Sequence, residues 1–484
     1  MISQLLKQKC IPVTMTLLLA GGVVQAQEPT DKAAEAAAEQ AKKEEIEATS
    51  NLRDSIHENL ETLQEDAEAV DELKSSAKQE PIPVELQMDE LVDDEIIGEA
   101  QSPQQAVSDR AETEPANAKK SIYDHFKALP EYLQSVPERV PFLRNRGLIF
   151  FGRAELDYAH YSSGITKGDS GFRVRSLRAG LAKAFKHNLS MKAEVDLTDG
   201  DSNFADLYGR YRHKKYGLFT VGNQRVAQTL VNQTSRISRT FMEEPLPAEA
   251  FGLGRRLALG WDLHKSRGGS HMTLFGRDLN GSIGDSGYAW RAYFNPTRSR
   301  FSLFHVGASF LRENMDRKTR FFAHPESRVT DKRLVDTEIF DDISQQTITA
   351  LEIAGAKDSF MFRAEFFRAS WDRDTENDPV FKGFYAQASW VLTGESFKYT
   401  QGKFVRIRPQ SPRGAWEVAA RFSRIDLNDE GIFGGEERNL TVALNWYAPA
   451  NQFRVMANLI FVRTDEQAND ESPTIIQIRA QFHW

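Results

Sequence analysis

From residue 147 to residue 484 apolar and polar side chains change places at almost every step. Within 148–158, Leu148, Phe150, Ala154, Leu156 and Tyr158 fall on one face and Arg153, Glu155 and Asp157 on the other. A period of two belongs to a strand, whose successive side chains point to opposite sides. The alternation returns in 191–197, 205–211, 257–263, 272–274, 304–310, 360–366, 384–392, 416–422, 440–446, 453–461 and 475–484. It is less clean in 172–185, 217–225, 288–294 and 347–355. These runs predict about sixteen strands, many near the roughly 9–11 residues that a tilted strand needs to cross a bilayer. In the last run Ile476, Ile478, Ala480, Phe482 and Trp484 share the oily face, and Gln477, Arg479, Gln481 and His483 the wet one. A soluble sandwich would bury that oily face on a second sheet. A transmembrane barrel turns it to lipid and closes its wall by pairing the last strand with the first.

The connections point the same way. Short links at 187–188, 213–216, 295–298, 357–358 and 448–451 mostly take turns with long ones at 226–254, 313–345 and 465–471. Tight periplasmic turns opposite long outer loops are the pattern of outer-membrane barrels. The stretch 393–413 is too long for its place on the short side. Either the strand count slips there or the turn is elaborated.

The first 146 residues follow other rules. Lys7 and Lys9 precede an apolar run at 11–24 that ends in Val24-Gln25-Ala26, which predicts a secretory signal over 1–26. That run is too short to span a membrane as a helix, which takes roughly 20 residues. The one cysteine, Cys10, lies inside the signal, so the mature chain is expected to carry no disulfide, cysteine zinc site or cysteine nucleophile. In 27–80, Ile56, Leu60, Leu63, Ala67 and Val70 recur at spacings of four and three, while Thr49 and Arg53 interrupt the seam. This predicts a helical, coiled-coil-like segment, the alternative being a single solvated helix. Pro81 and Pro83 end it, and 81–120, with Asp89, Glu90, Asp93, Asp94, Glu95 and Glu99, reads as an acidic disordered linker. A partly ordered lead-in at 121–146 precedes the barrel domain, 147–484. The chain has 61 basic and 69 acidic residues, net −8, but 1–120 holds 11 and 26 of them, net −15, and 121–484 holds 50 and 43, net +7. A basic barrel thus follows an acidic extension.

Charge gives the barrel its chemistry. If the apolar faces meet lipid, the opposite faces place Arg153, Lys192, Arg210, Arg256, Arg291, Arg363, Arg421, Arg454 and Arg479 along the lumen. Fixed cations in a narrow aqueous channel concentrate anions and exclude cations. The plainer alternative is that these groups pair with Glu155, Asp157, Glu194, Asp206, Glu365 and Glu417 and brace the wall, and both roles are expected in about equal measure. The loop 226–254, with Arg236 and Arg239 followed by Glu243 and Glu244, is the candidate constriction; otherwise it is an outward surface loop. The histidines are scattered, no metal-ligand spacing occurs and no serine sits in a nucleophile elbow, so neither enzyme, metal nor cofactor is expected. Nucleic acid is not expected either, because the arginines alternate with apolar residues instead of forming a stripe with stacking aromatics.

Six short stretches carry a family resemblance: "FRVRSLRAGL" at 172–181, "VGNQR" at 221–225, "LTGE" at 392–395, "GAWEVAARFS" at 414–423, "LNWY" at 444–447 and "MANLIFV" at 456–462. Together they resemble the phosphate- and polyphosphate-selective porin family, the porin O and P group, over 147–484. The resemblance implies a sixteen-stranded, homotrimeric anion channel in the outer membrane of a Gram-negative bacterium. Its implied partners are outer-membrane lipid, inorganic anions as permeants, and the barrel assembly machinery acting through the C-terminal strand. Departures from the family are Ala227, where proline is usual, Trp484, where phenylalanine is usual, and the N-terminal extension. The function expected is a passive, anion-preferring diffusion channel, with phosphate or polyphosphate as candidate permeants. The alternative is a structural barrel whose extension, in the periplasm, tethers the membrane to periplasmic material.

Overall fold

The structure, a computed structural model, describes residues 147–484 apart from 165–166, 199–202, 280–284, 300–301, 316–317, 375–376, 430, 450 and 466–471. The signal, helical, acidic and lead-in segments expected before residue 147 lie outside the described residues.

The strands appear where the alternation predicts them. In order they are β1 Ile149–Tyr161, β2 Gly171–Ala184, β3 Leu189–Asp196, β4 Asn203–His213, β5 Gly217–Arg225, β6 Arg255–Lys265 and β7 Gly268–Phe275. Then come β8 Ser286–Arg298, β9 Ser302–Asn314, β10 Phe322–Ala323, β11 Val335–Asp336, β12 Ile343–Lys357, β13 Phe360–Arg373 and β14 Val380–Val391. The last are β15 Lys398–Thr400, β16 Lys403–Val405, β17 Ala415–Asp429, β18 Ile432–Tyr447, β19 Phe453–Thr464 and β20 Thr474–His483. Two short helices, α1 Leu230–Gln233 and α2 Leu246–Ala250, lie between β5 and β6. Sixteen strands, all except the hairpins β10–β11 and β15–β16, form one closed antiparallel barrel, in which β20 pairs with β1. The seam is continued by Gly152 and Trp484, which exchange backbone hydrogen bonds of 3.0 Å each.

Register decides which face meets what. Asp157 lies opposite Arg173 and Arg479, and Glu155 opposite Ser176 and Gln481, so one polar set runs round the inside. The outward set includes Leu156, Phe172, Val174, Leu259, Trp290, Leu351, Leu440, Ile476 and Ile478, all exposed. So much exposed hydrocarbon is a liability in water and a requirement in lipid. Aromatic pairs ring this band near the short turns, Phe360 stacking on Trp390 at 5.2 Å, and again near the long loops, where Tyr158 meets Phe172 at 4.9 Å. Short turns use the positive φ that tight hairpins require: His187 and Asn188, joining β2 to β3, have φ of 63° and 59°.

The lumen is not left empty. Loop 226–254 and loop 315–342 enter it from the long-loop end, and loop 392–414 from the short-turn end. The strand count therefore does not slip at 392–414; the turn is elaborated into the β15–β16 hairpin. Tyr399 of that hairpin hydrogen-bonds His305 Nδ1 at 2.7 Å, and the Gly402 carbonyl accepts from Arg291 at 2.8 Å. Val231, Leu246 and Phe251 of loop 226–254 pack with Phe321, Phe367, Trp371 and Phe381 into the main apolar cluster, with Phe321 stacked on Trp371 at 4.6 Å. Pro247 lies so close to Gly383 that a Cβ there would sit 2.6 Å from it. The chain can bring α2 against this wall only because β14 carries no side chain at that point.

Candidate functional site

All nine cations assigned to the lumen from the alternation lie on the inward register. The structure gives each a partner, and the partners divide them into groups.

Arg479, Arg421 and Arg454 hold loop 226–254 across the barrel. Arg479 forks onto both Asp157 oxygens at 2.7 Å, reaches Glu243 at 2.6 Å and donates to the Met242 carbonyl at 2.7 Å. Arg421 donates to the Glu243 carbonyl at 3.0 Å and pairs with Glu326 of loop 315–342 at 2.6 Å. Arg454 donates to the Arg239 carbonyl at 2.8 Å. Carboxylates of the wall do the same work from other sides: Glu365 accepts the Val231 N–H at 2.9 Å, and Glu417 accepts the Thr240 hydroxyl at 3.1 Å. Glu365 and Glu417 thus hold the loop and also brace the wall, Glu417 accepting from Tyr447 at 2.6 Å and Glu365 from Tyr385.

Arg291 forks onto Glu352 at 2.8 Å under the β15–β16 hairpin. Arg256 contacts Glu313 at 3.5 Å, Arg363 donates to Gln387 at 3.4 Å, and Arg153 donates to Ser176 at 3.1 Å. Lys192 pairs with Asp206 at 3.0 Å, and Arg210 lies 4.3 Å over the Tyr208 ring.

Each of the four loop residues is engaged in an ion pair. Arg239 pairs with Glu244 inside the loop, Arg236 reaches Glu155 at 3.4 Å, and Glu243 receives a two-pronged contact from Arg175 at 2.8 and 2.9 Å. Burial alone would raise the Glu243 carboxyl, but Arg175, Arg479 and Arg236 together hold it well below the usual carboxylate range. Glu243 therefore stays ionised and ties the loop to two strands at once.

Among the described residues, two polar cavities lie beside β1 to β7, where Arg178, Arg210, Arg225 and Arg255 are half-buried. A cavity of about 170 Å³ is lined by Arg153, Arg178, Arg225, Arg236, Arg239 and Arg255, with Glu244 and Glu249 the acidic residues on it. Six guanidinium groups share this wall, of which Arg178, Arg236, Arg239 and Arg255 are paired with Asp196, Glu155, Glu244 and Asp206. A second polar cavity of about 60 Å³ shares Arg225 and is bounded by Lys192, Asp206, Arg210, Asp262 and His271. Both are large enough for water.

Arg175, Arg178, Arg225 and Arg255 were not among the nine cations read from the alternation. The ladder shifts between Glu155 and Leu156, a bulge that upsets strict parity near Arg175. Arg225 and Arg255 sit at strand ends, where a period of two has run out. Their clustering beside a candidate constriction was the available signal.

Residues 151–484 match the phosphate-selective porin O and P family. An uncharacterized protein of Caulobacter vibrioides is 28% identical over 332 residues, 63% of this chain and 66% of its own. Porin O of Pseudomonas aeruginosa is 24% identical over 229 residues, 40% of this chain and 52% of its own. The chain thus spans two thirds or less of the length of these relatives. Among solved structures, an anion-selective porin from Comamonas acidovorans superposes with a TM-score of 0.48 at 10% identity, covering 70% of this chain and 99% of that one. With the matched region coinciding with the closed barrel, the chain belongs to the phosphate-selective porin O and P family and is an outer-membrane porin.

Proposed function

We propose that this porin is a passive diffusion channel that prefers anions, with selectivity set where loop 226–254 narrows the lumen. The observation that carries the reading is the 170 Å³ cavity with six arginines on its wall. Arginine stays charged at any relevant pH and forks onto oxyanions, so the passage draws anions in without a charge cycle or cofactor. Inorganic anions are the permeant class, and phosphate or polyphosphate are the candidates that the family name suggests. The working assembly is a homotrimer with its short turns and N-terminal extension in the periplasm, inserted through its last strand.

The test is a reversal potential in a planar bilayer under a chloride salt gradient. Its sign should report anion preference, stronger at low salt where screening is weak. Arg236→Gln with Arg255→Gln should reduce the preference by about two-fold or more. The fold should survive, because Glu155 keeps Gln481 at 2.7 Å and Asp206 keeps Lys192 at 3.0 Å. Cation preference in the unaltered protein would overturn the reading. A barrel that inserts but never conducts would favour the structural tether instead. Block of chloride current by low phosphate would mark a dedicated phosphate site, and its absence a general anion porin.

A further inference from the structure

The outward face of the barrel ends differently on its two sides. Near the long loops β1, β2 and β8 turn Tyr158, Phe172 and Tyr288 outward, aromatic side chains that suit a membrane interface. Across β13, β14, β17, β18 and β19 the corresponding positions carry charge. Arg368, Lys382, Arg424, Arg438 and Arg463 each stand two residues nearer the long loops than an outward apolar side chain of the same strand: Phe366, Phe384, Phe422, Leu440 and Phe461. Strand parity therefore puts all five cations on the lipid side, at the upper edge of the apolar band.

The ladder sets these cations beside one another. Arg368 is the register partner of Lys382, and Arg438 that of both Arg424 and Arg463. Like charges directly opposite destabilise a sheet, and facing the edge of the hydrocarbon adds to the cost. Carboxylates offset part of it. Arg424 forks onto Glu436 at 2.8 Å, and Arg438 shares that same carboxylate. Asp426 is the register partner of Lys382, and Asp465 accepts the Glu436 N–H at 3.4 Å. Arg368, Lys382 and Arg463 are exposed and have no ion pair among the described residues.

We propose that this strip is a docking surface for an anionic glycolipid of the outer leaflet, its phosphate groups on the five cations and its acyl chains on the apolar side chains below them. Guanidinium groups fork onto phosphate oxygens, and a phosphate between neighbouring strands would relieve the like-charge contacts of the ladder. A free anion would satisfy only the charged edge, whereas a lipid presents charge and hydrocarbon in the order in which the strip and the band beneath it receive them. The assignment rests on the orientation given above, with the long loops outside. Labelling of Asn377→Cys, in the loop between β13 and β14, by a membrane-impermeant thiol reagent on intact cells reads that orientation separately.

The experiment titrates the full chain, in nonionic detergent, with bis-phosphorylated lipid A and with its dephosphorylated form, and reads the bound fraction by native mass spectrometry. The phosphorylated lipid should bind about ten-fold or more tightly than the other. Arg368→Gln, Lys382→Gln and Arg463→Gln together should abolish that preference. Lys214→Gln with Lys215→Gln, exposed in a short turn at the opposite end, should leave it intact. Equal binding of the two lipids by the unaltered protein, a measurement that needs no variant to fold, would overturn the assignment. So would a preference that survives in the triple variant, or displacement of lipid A by an equal concentration of inorganic phosphate, which would mark a free-anion site instead.

Discussion

Single residues carry the internal bracing, and Glu326 shows it best. It adopts φ of 51°, inside the left-handed region where a non-glycine residue is uncommon, and its carboxylate takes Arg421 and Thr441 at 2.6 Å each while also accepting from Ser423. Removing one partner of a buried ion pair costs about 3–5 kcal/mol, because the other charge is stranded. Glu326→Ala should therefore release loop 315–342 while the wall stays closed. Trypsin should then cut at Arg328 or Arg333 in folded protein, sites that resist it in the wild type; equal resistance would refute the anchor. At this scale the sequence was partly legible. Strand period is two, so the alternation alone puts Arg421 inside. Its partner sits in a loop with no period at all, and nothing local to "GAWEVAARFS" names Glu326. Neutralising Arg421 and Arg454 is accordingly a test of loop anchoring more than of selectivity.

Elements separate by how they are stabilised. Barrel strands are fixed by ladder hydrogen bonds and an apolar outer face, both written in local pattern, and so their order and number were readable. The inserted loops are fixed by scattered contacts to far strands, and their destination was not readable beyond the expectation that 226–254 forms the constriction; 393–413 was marked only by its length. The ties of loop 226–254 make a pH prediction. A carboxyl lowered on folding contributes stability that is complete above its unfolded value, about 4.3 for glutamate, and is lost as pH falls through the folded value. Since Glu243 is held well below the usual range, loop 226–254 should stay docked at pH 5 and loosen only in stronger acid. Hydrogen exchange of the loop amides, measured between pH 7 and pH 5 after correction for intrinsic rate, should show no loss of protection. Substantial opening by pH 5 would contradict the geometry around Arg175 and Arg479.

For the molecule as a whole the decisive contact is the seam between β20 and β1. A barrel leaves no edge, and an unclosed sheet in lipid would leave a row of backbone groups without partners. Deleting Phe482–Trp484 removes the pairs of Phe482 and His483 with Ala154 and Arg153, together with the Gly152–Trp484 exchange. The shortened chain should accumulate as an unassembled periplasmic species. Heat-modifiable barrels in normal amount, seen on a gel run with and without boiling, would defeat this.

Loop 226–254 follows the fifth strand, yet Glu417, Arg421, Asn445, Arg454 and Arg479 hold it from the last four. During biogenesis those grips cannot exist until almost every other part of the wall is in place. The full set of ties on the loop, which also includes Arg175 of β2 and Glu155 of β1, therefore exists only once the wall is closed. The loop that narrows the lumen is thus held by both ends of the chain's wall, and any weakening of the closing seam should loosen the loop as well.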